Sequence, residues 1–222
     1  MRYYKNNPKK LYAKLGINNM DVEIASSYSE LEDVLNSPLK SKKIGWFHTD
    51  IRFVETSLAK KFIARLHRFD AVIFGAKQTR DVINEHYQEV FPKGKVIYNV
   101  IDKELIDEKS KAFEMPHHST PVFVSVARLQ KRKGFDKLMT AHKQLIDEGF
   151  DHQVYVIGDG DYKETLQQKF QELKLDQRFQ FLGTLKNPYP YVKNADYFVL
   201  PSKTESYPLI IGEALCLGTP II

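Results

Sequence analysis

Two carboxylates frame an apolar segment near the end of the sequence, between Thr204 and Ile222. Pro208 suits the first position of a helix and Gly218 the left-handed residue after its end, so the intervening apolar residues predict a helix that is buried on most sides. Glu213 lies within that helix and needs a partner, because a buried carboxylate costs free energy. Glu205 lies in the loop before it. We expect both carboxylates and the N–H groups of the first helical turn to face one cleft, where N–H groups suit phosphate or sugar oxygens and carboxylates accept from hydroxyls.

Composition excludes several classes of protein. The chain has 222 residues with 42% hydrophobic and 27% charged residues, which is typical of a globular protein rather than a disordered one. A single cysteine, Cys216, excludes an internal disulfide framework and fits a reducing cytoplasm. No apolar run approaches membrane-spanning length, and the N-terminus lacks the apolar core of a signal peptide. The net charge of +5 indicates either a solvated surface or attraction to anionic lipid headgroups or substrates, and no nucleic-acid-binding motif accompanies it.

Strand and helix patterns alternate along the chain after a basic helical segment at residues 1–20. Strands are predicted at 21–25, 43–48, 71–74, 95–98, 121–126, 153–157, 179–182 and 196–200. Helices are predicted between them, at 28–35, 53–68, 78–86, 102–113, 134–148, 162–174 and 189–193, and before the final apparent strand. This alternation predicts an α/β protein with parallel, doubly wound sheets.

Basic residues follow the strand at 121–126. Arg128 and Lys133 lie in the connection to the next helix, at the sheet edge where open α/β sheets bind ligands. A guanidinium fork and an ammonium group there suit a diphosphate, although a basic loop taken alone is ordinarily surface charge.

Glycines follow the next two strands. Gly158 and Gly160 permit a tight turn that brings the backbone close to a ligand. The Asp-x-Asp sequence around Gly160 resembles a metal-binding motif known from a different fold, but Asp161 is interpreted as a helix cap and no metal is expected. Gly183 follows the strand at 179–182. The loop there is interpreted either as a ligand-binding loop or as a plain turn.

The segment from Glu205 to Pro220 reads Glu-Ser-Tyr-Pro, four residues, Glu-Ala, three residues and Gly-Thr-Pro. It resembles the Glu-x7-Glu motif of retaining glycosyltransferases with the GT-B fold, and most closely the large bacterial family of capsule, exopolysaccharide and lipopolysaccharide transferases (glycosyl transferases group 1). The stretch from Arg128 to Gly134 resembles the Arg-x4-Lys-Gly motif of that family. The resemblance implies two Rossmann-like, doubly wound, parallel-sheet domains, both incomplete, because family members have further sheet before and after the matching region.

The resemblance also implies roles for individual residues. Arg128 and Lys133 would hold the diphosphate, Glu213 the ribose hydroxyls, and Glu205 the sugar. The residues expected to bind substrate are, in full, Arg128, Lys133, Gly158, Gly160, Gly183, Ser206, Tyr207, Pro208, Leu209 and Glu213. The residues expected to be catalytic are His48 and Glu205, and no metal or other cofactor is expected.

The first half of the chain contributes His48, at the end of the strand at 43–48. The segment from Trp46 to Asp50 resembles the strand end whose histidine faces the donor sugar in the family, while a structural hydrogen bond between His48 and Asp50 is equally open. The segment from Tyr98 to Asp102 resembles the exit from the family's amino-terminal domain. We therefore predict an acceptor-side domain at residues 1–101 and a nucleotide-sugar-binding domain at 102–222.

The resemblance predicts transfer of a hexosyl group, with retention, from a nucleotide-diphosphate sugar to a hydroxyl acceptor in cell-surface polysaccharide or glycolipid synthesis. The expected partners are the nucleotide-sugar donor, a lipid-linked or glycan acceptor and an anionic membrane surface, with a cytoplasmic location at the inner face of the membrane. Three alternatives stay open: a non-catalytic nucleotide-sugar-binding fragment, a sugar-nucleotide epimerase on the same fold, and a purely structural protein.

Overall fold

The chain forms two compact units, Met1–Asn99 and Val100–Ile222. The computed structural model describes residues 7–27, 30–48, 56–87, 94–115, 118–205 and 207–222. Each unit contains a parallel, four-stranded sheet. The predicted α/β class with parallel sheets is therefore confirmed. The observed division lies two residues before the predicted boundary between residues 101 and 102.

The first unit alternates helices and strands in the predicted order. Its elements are α1 (Pro8–Lys14), β1 (Val22–Ala25), α2 (Leu31–Leu35), β2 (Lys42–Phe47), α3 (Thr56–Leu66), β3 (Ala71–Phe74), α4 (Lys77–His86) and β4 (Gly94–Val96). The strands lie in the order β1-β2-β3-β4. The core brings Phe62 of α3 against the sheet, with its ring centroid 4.5 Å from that of Phe47.

The second unit has the same plan with a different strand order. Its elements are α5 (Lys103–Ser110), β5 (Val122–Val126), a 3-10 helix (Lys131–Lys133), α6 (Phe135–Asp147), β6 (Gln153–Ile157), α7 (Lys163–Glu172), β7 (Phe179–Gly183), α8 (Tyr189–Asn194), β8 (Tyr197–Phe198) and α9 (Leu209–Cys216). The order β7-β6-β5-β8 places the first two strands of this unit at the centre of its sheet.

Both faces of the second sheet are covered. Along β6, Val154 and Val156 pack in a cluster with residues of α6 and α7, whereas Tyr155 and Ile157 pack in a cluster with residues of α8 and α9. Successive side chains of a strand point to opposite faces, so a strand covered on both sides reads as a continuous apolar run. This explains why periodicity of two is missing from the strand sequences.

The C-terminal helix α9 differs from its prediction. It begins at Leu209, and Pro208 is the extended residue before it rather than its first residue. Ala214 is its one fully buried residue, and Leu215 is 62% exposed, so the predicted burial on most sides is wrong. An apolar composition does not reveal which sides of a helix its neighbours cover. The predicted end is confirmed, since Gly218 has a φ of 78° and its N–H bonds to the carbonyl of Leu215 at 3.1 Å.

Candidate functional site

The connection from β5 to α6 lies at the carboxyl edge of the second sheet. It is held to the neighbouring connection by backbone hydrogen bonds, including one of 3.0 Å from the N–H of Leu129 to the carbonyl of Asp159. Gly134 ends the 3-10 helix with a φ of 72°, and a Cβ there would lie 2.0 Å from the carbonyl oxygen of Pro201. Arg128 is exposed in this connection and pairs with no carboxylate among the described residues. Its guanidinium is therefore available to an anionic ligand.

Gly158 and Gly160 form the neighbouring connection, between β6 and α7. Gly158 has a φ of 142°, and a Cβ there would lie 2.0 Å from the carbonyl oxygen of Ala127. At Gly160 a Cβ would lie 2.4 Å from the carbonyl oxygen of Leu129. Only glycine lets these two backbone segments approach so closely, so the pair holds the two connections together.

The predicted helix-capping role of Asp161 is wrong. Helix α7 begins at Lys163, and the residue before it is Tyr162, which makes no capping bond through its side chain. Asp159 instead accepts hydrogen bonds from the N–H of Gly160 at 2.8 Å and from the ammonium of Lys163 at 3.0 Å. The Lys163 hydrogen bond is the main reason why the pKa of Asp159 lies below its usual range. Within the described ranges, no three histidine, cysteine, aspartate or glutamate side chains are grouped so that they could hold a metal ion.

Lys133 and Glu205 form an ion pair between two loops. They lie 72 positions apart in the sequence, and their side chains retain 12% and 17% of their exposure. The loops are also joined by a 2.9 Å hydrogen bond from the N–H of Lys203 to the carbonyl of Arg132. The structure thus brings together two of the residues that the sequence proposed for ligand binding. The pair occupies the position between the β5–α6 connection and the loop that leads to α9.

Glu213 lies on α9 and is half-buried. Its partner is Tyr189, the first residue of α8, whose hydroxyl bonds to the carboxylate. Burial raises the pKa of Glu213 above its usual range, while the Tyr189 bond acts in the opposite direction. One face of α9 also packs closely against the start of the unit, because a Cβ at Gly212 would lie 2.0 Å from Cδ1 of Ile101.

The first turn of α9 presents N–H groups that no side chain of the described residues caps. Pro208 has no capping bond, and the turn contains no acidic residue. Leu209 and Tyr207 are 39% and 38% exposed. Ser206, which was predicted to bind substrate, lies outside the described residues. A helix start of this kind favours a negatively charged ligand group.

Gly183 ends β7 and has a φ of 70°. Its carbonyl accepts a 2.8 Å hydrogen bond from the N–H of Gly158, which ties the second and third connections together. No neighbouring atom lies within 4 Å of where its Cβ would be, so the conformation, rather than crowding, favours glycine here. All three predicted connections therefore meet at one edge of the sheet.

His48 belongs to the first unit and follows β2 directly. Its ring stacks on Trp46, with centroids 5.7 Å apart and planes 17° apart. A Cβ at Gly75 would lie 3.0 Å from its Nδ1, so the imidazole lies beside the turn that follows β3. Asp50, the alternative partner of His48, lies outside the described residues.

Sequence reasoning missed two features near this edge. Tyr189 was assigned only to a short helix, although it is the partner of Glu213. Ser125, near the end of β5, and Ser202, in the loop after β8, have buried hydroxyl oxygens with no hydrogen-bond partner among the residues that the structure describes. The position of Ser125 inside a predicted buried strand could have indicated this feature, because buried hydroxyls normally form hydrogen bonds and a strand interior offers few partners.

Comparison with known proteins identifies the class. The family described as "Glycosyl transferases group 1" matches residues 106–222, which is more than half of the chain, and the chain belongs to that family. The match includes the three connections, α9 and both glutamates.

Individual relatives agree with this class. An uncharacterized glycosyltransferase of Methanocaldococcus jannaschii is 27% identical over 194 residues, which cover 85% of this chain and 46% of that protein. An N-acetylgalactosaminyltransferase of Campylobacter jejuni, whose name gives a diphospho-undecaprenol-linked acceptor, is 27% identical over 168 residues, covering 75% of this chain and 45% of that protein. The chain spans about half the length of the curated relatives it matches.

Solved structures with the same fold are GT-B glycosyltransferases. The structure of TarM from S. aureus in complex with UDP matches with a TM-score of 0.77 at 18% identity, covering 96% of this chain and 43% of that one. HepE of Anabaena in complex with UDP and glucose matches with a TM-score of 0.76 at 20% identity, covering 96% of this chain and 61% of that one. The predicted GT-B architecture is thus confirmed at the level of the fold.

Across the part of the chain that the structure describes, every helix is too short or too polar to traverse a lipid bilayer.

Proposed function

We propose that this chain binds a nucleotide-diphosphate sugar at the carboxyl edge of its second sheet and serves hexosyl transfer to a hydroxyl acceptor, with retention. The observation that carries the proposal is the contact between Lys133 and Glu205. Their side chains are in direct contact although they lie 72 positions apart in the sequence. The sequence motifs had assigned both residues to the same ligand.

The leaving diphosphate is assigned to the cations and the helix start. As the bond between the anomeric carbon and the phosphate oxygen breaks, negative charge accumulates on that oxygen. Arg128, Lys133 and the N–H groups at the start of α9 stabilise this charge without forming a covalent bond. The products are the new glycoside, the nucleoside diphosphate and one proton. In this scheme the cations and N–H groups offset the diphosphate charge, so no metal is needed.

The neutral parts of the donor are assigned to the carboxylates. Glu213 accepts hydrogen bonds from the ribose hydroxyls, and Tyr189 holds its carboxylate in position. Glu205 receives the hexosyl hydroxyls, and His48 is assigned to the same sugar by resemblance to the family. The acceptor is proposed to be a glycan or a lipid-linked saccharide, as the name of the Campylobacter jejuni relative states for that protein. This assignment would place the reaction at the inner face of the cytoplasmic membrane.

Calorimetric titration of the purified chain with UDP and GDP, with and without EDTA, tests the proposal. We expect binding of at least one nucleotide that EDTA leaves unchanged. Arg128→Ala should weaken it by roughly 10- to 100-fold, since a charge-assisted hydrogen bond contributes about 1.5–3 kcal/mol.

Arg132→Ala is the matched control, because Arg132 is an exposed arginine on the 3-10 helix of the same connection. Its affinity should stay within about twofold of the wild type. Equal losses in both variants would mean that general positive charge, and not a diphosphate site at Arg128, attracts the nucleotide. Absence of binding by the folded chain would reject the donor site.

A further inference from the structure

A pocket lies at the edge of the second unit's sheet opposite to the candidate nucleotide site. Its volume is about 170 Å³, and it is lined by the C-terminal half of α6 and by the segment from Lys174 to Arg178 that leads into β7. The connections described above follow the strands, whereas this pocket precedes them. It is therefore separate from the edge where the nucleotide is proposed to bind. Pockets for drug-sized ligands measure about 300–1,000 Å³, so this one suits a smaller molecule.

A buried histidine forms part of the pocket wall. His142 is 2% exposed, and its Nδ1 lies 2.8 Å from Nε2 of His152, which is equally buried. Nδ1 of His152 lies 2.9 Å from the carbonyl oxygen of Phe150 and must donate to it, because a carbonyl only accepts. In a neutral His152, Nε2 then accepts, so His142 donates through Nδ1.

This hydrogen-bond chain defines what His142 offers to a ligand. Burial lowers the pKa of His142 to about 4, so the ring is neutral at pH 7. A neutral ring that carries its proton on Nδ1 has a lone pair on Nε2. That nitrogen has no hydrogen-bond partner among the described residues. Because His142 lines the pocket, the matching ligand group is a hydrogen-bond donor.

The rest of the lining mixes both charges with apolar side chains. Lys143 pairs with Asp147, and Arg178 binds Asp176 with a distance of 2.6 Å from Nη2 to Oδ2. Pairs of this kind attract neither a strong anion nor a strong cation, but they offer donors and acceptors side by side. A hydroxyl can donate to a carboxylate or imidazole and accept from an ammonium or guanidinium. Leu175 supplies an apolar surface for ring carbons.

We propose that this pocket binds a single neutral sugar ring, as a carbohydrate subsite distinct from the donor site. The alternation of donors and acceptors matches several hydroxyl groups on one ring. The lone pair of His142 requires at least one of them to donate. An anion without O–H groups offers no donor to His142, and in the pocket it would meet the carboxylates of Asp147 and Asp176 as well as the ammonium of Lys174.

Lys174 supplies a second observation at the rim of the pocket. It has a φ of 51° and is the one residue other than glycine with a positive φ in the described part of the chain. It follows the C-cap of α7, where glycine is usual. Its ammonium has no partner among the described residues. Glycine would adopt this backbone conformation without strain. A lysine in its place suggests that its side chain has a function at the pocket.

The test follows amide chemical shifts of Leu175 and Arg178 by NMR while D-glucose, D-galactose or N-acetyl-D-glucosamine is added. Every sample contains saturating UDP and is repeated without UDP, so that failure of the donor site does not affect the result. We expect saturable shifts for at least one sugar, with a dissociation constant in the millimolar range because the contact area is small.

Two variants distinguish binding from stability. His142→Asn keeps an amide donor for His152 and removes the acceptor at Nε2, so it should weaken sugar binding at least tenfold. Lys174→Gly should weaken binding several-fold while raising Tm by about 2–4 °C, since glycine relieves the left-handed strain. Lys137→Asn, on the first turn of α6 and outside the lining, is the matched control and should change neither. The proposal is overturned if no sugar gives saturable shifts, if His142→Asn binds like the wild type, or if inorganic phosphate binds and the sugars do not.

Discussion

The ion pair between Lys133 and Glu205 provides the sharpest test of the proposed site. Both side chains are largely buried, with 12% and 17% of their exposure left. Two unit charges about 4 Å apart interact by about 4 kcal/mol at an effective dielectric constant of 20, and desolvation of both groups offsets part of this. We expect a net coupling free energy of about 2 kcal/mol between them.

A double-mutant cycle with Lys133→Met and Glu205→Gln measures that coupling by urea-induced unfolding. Lys133→Met should cost about 2–3 kcal/mol, because it leaves Glu205 without its cation in a poorly hydrated position. The matched control cycle uses Lys163 and Asp159, which form an ion pair of 3.0 Å with exposures of 45% and 47%. Asp159 precedes the helix that begins at Lys163, so this is an ordinary exposed ion pair, and such pairs couple by about 0.2–1 kcal/mol.

The same variants separate the nucleotide from its sugar. If Glu205 competes with phosphate for Lys133, Glu205→Gln should strengthen UDP binding several-fold, because the lysine is released. It should weaken the additional affinity of UDP-glucose relative to UDP, because the sugar loses an acceptor. The reasoning is refuted if the two cycles give equal coupling, or if Glu205→Gln weakens UDP and UDP-glucose by the same factor.

Three further predictions concern separate parts of the second unit. Burial raises the pKa of Glu213, so its carboxylate takes up a proton at a higher pH than that of a free glutamate. Calorimetry should show that the affinity for UDP falls as the pH is lowered and Glu213 becomes protonated, and Glu213→Gln should lack this fall. Gly158→Ala should lower the free energy of unfolding in urea by at least about 3 kcal/mol, because its Cβ would overlap a carbonyl oxygen 2.0 Å away. The control Gly149→Ala, at a φ of 87° with no atom within 4 Å of the new Cβ, should cost about 1 kcal/mol. Equal costs would show that the overlap at Gly158 does not matter. The pKa of His142 is lowered from 6.5 to about 4 in the folded chain, so between these pH values the imidazole is protonated in the unfolded chain and neutral in the folded one. The free energy of unfolding should therefore fall by roughly 3 kcal/mol from pH 7 to pH 4 because of this group. An identical pH dependence of unfolding in His142→Asn would contradict this.

The order and type of the elements could be predicted because strands that are covered on both faces of the sheet have a recognisable apolar sequence. Strands such as β6 read as continuous apolar runs, and the helices between them carry amphipathic patterns. The edge of the sheet where Arg128, Gly158 and Gly183 meet follows from parallel topology alone. Element ends differed by a few residues, as for α5, which ends at Ser110 and not at residue 113.

Pairings between side chains could not be predicted, because they depend on packing between elements far apart in sequence. The bond between Glu213 and Tyr189 joins two helices whose relative position no local pattern encodes. The contact between His142 and His152 joins α6 to the start of β6, and in the sequence the two residues are only scattered histidines. The exposure of Leu215 has the same origin, since it depends on what covers α9.

The two sheets have a consequence for how the chain is made. Each sheet uses strands from one uninterrupted stretch of sequence, β1 to β4 in the first unit and β5 to β8 in the second. Parallel strands pair only after a whole crossover helix has emerged, so contacts within each unit are distant in sequence and slow to form. Among the described residues, no strand of the first unit pairs with a strand of the second. During synthesis these four strands of the first unit can therefore pair while the ribosome is still translating the second unit, so the exposed edges of unpaired strands, which invite aggregation, persist for only one unit at a time.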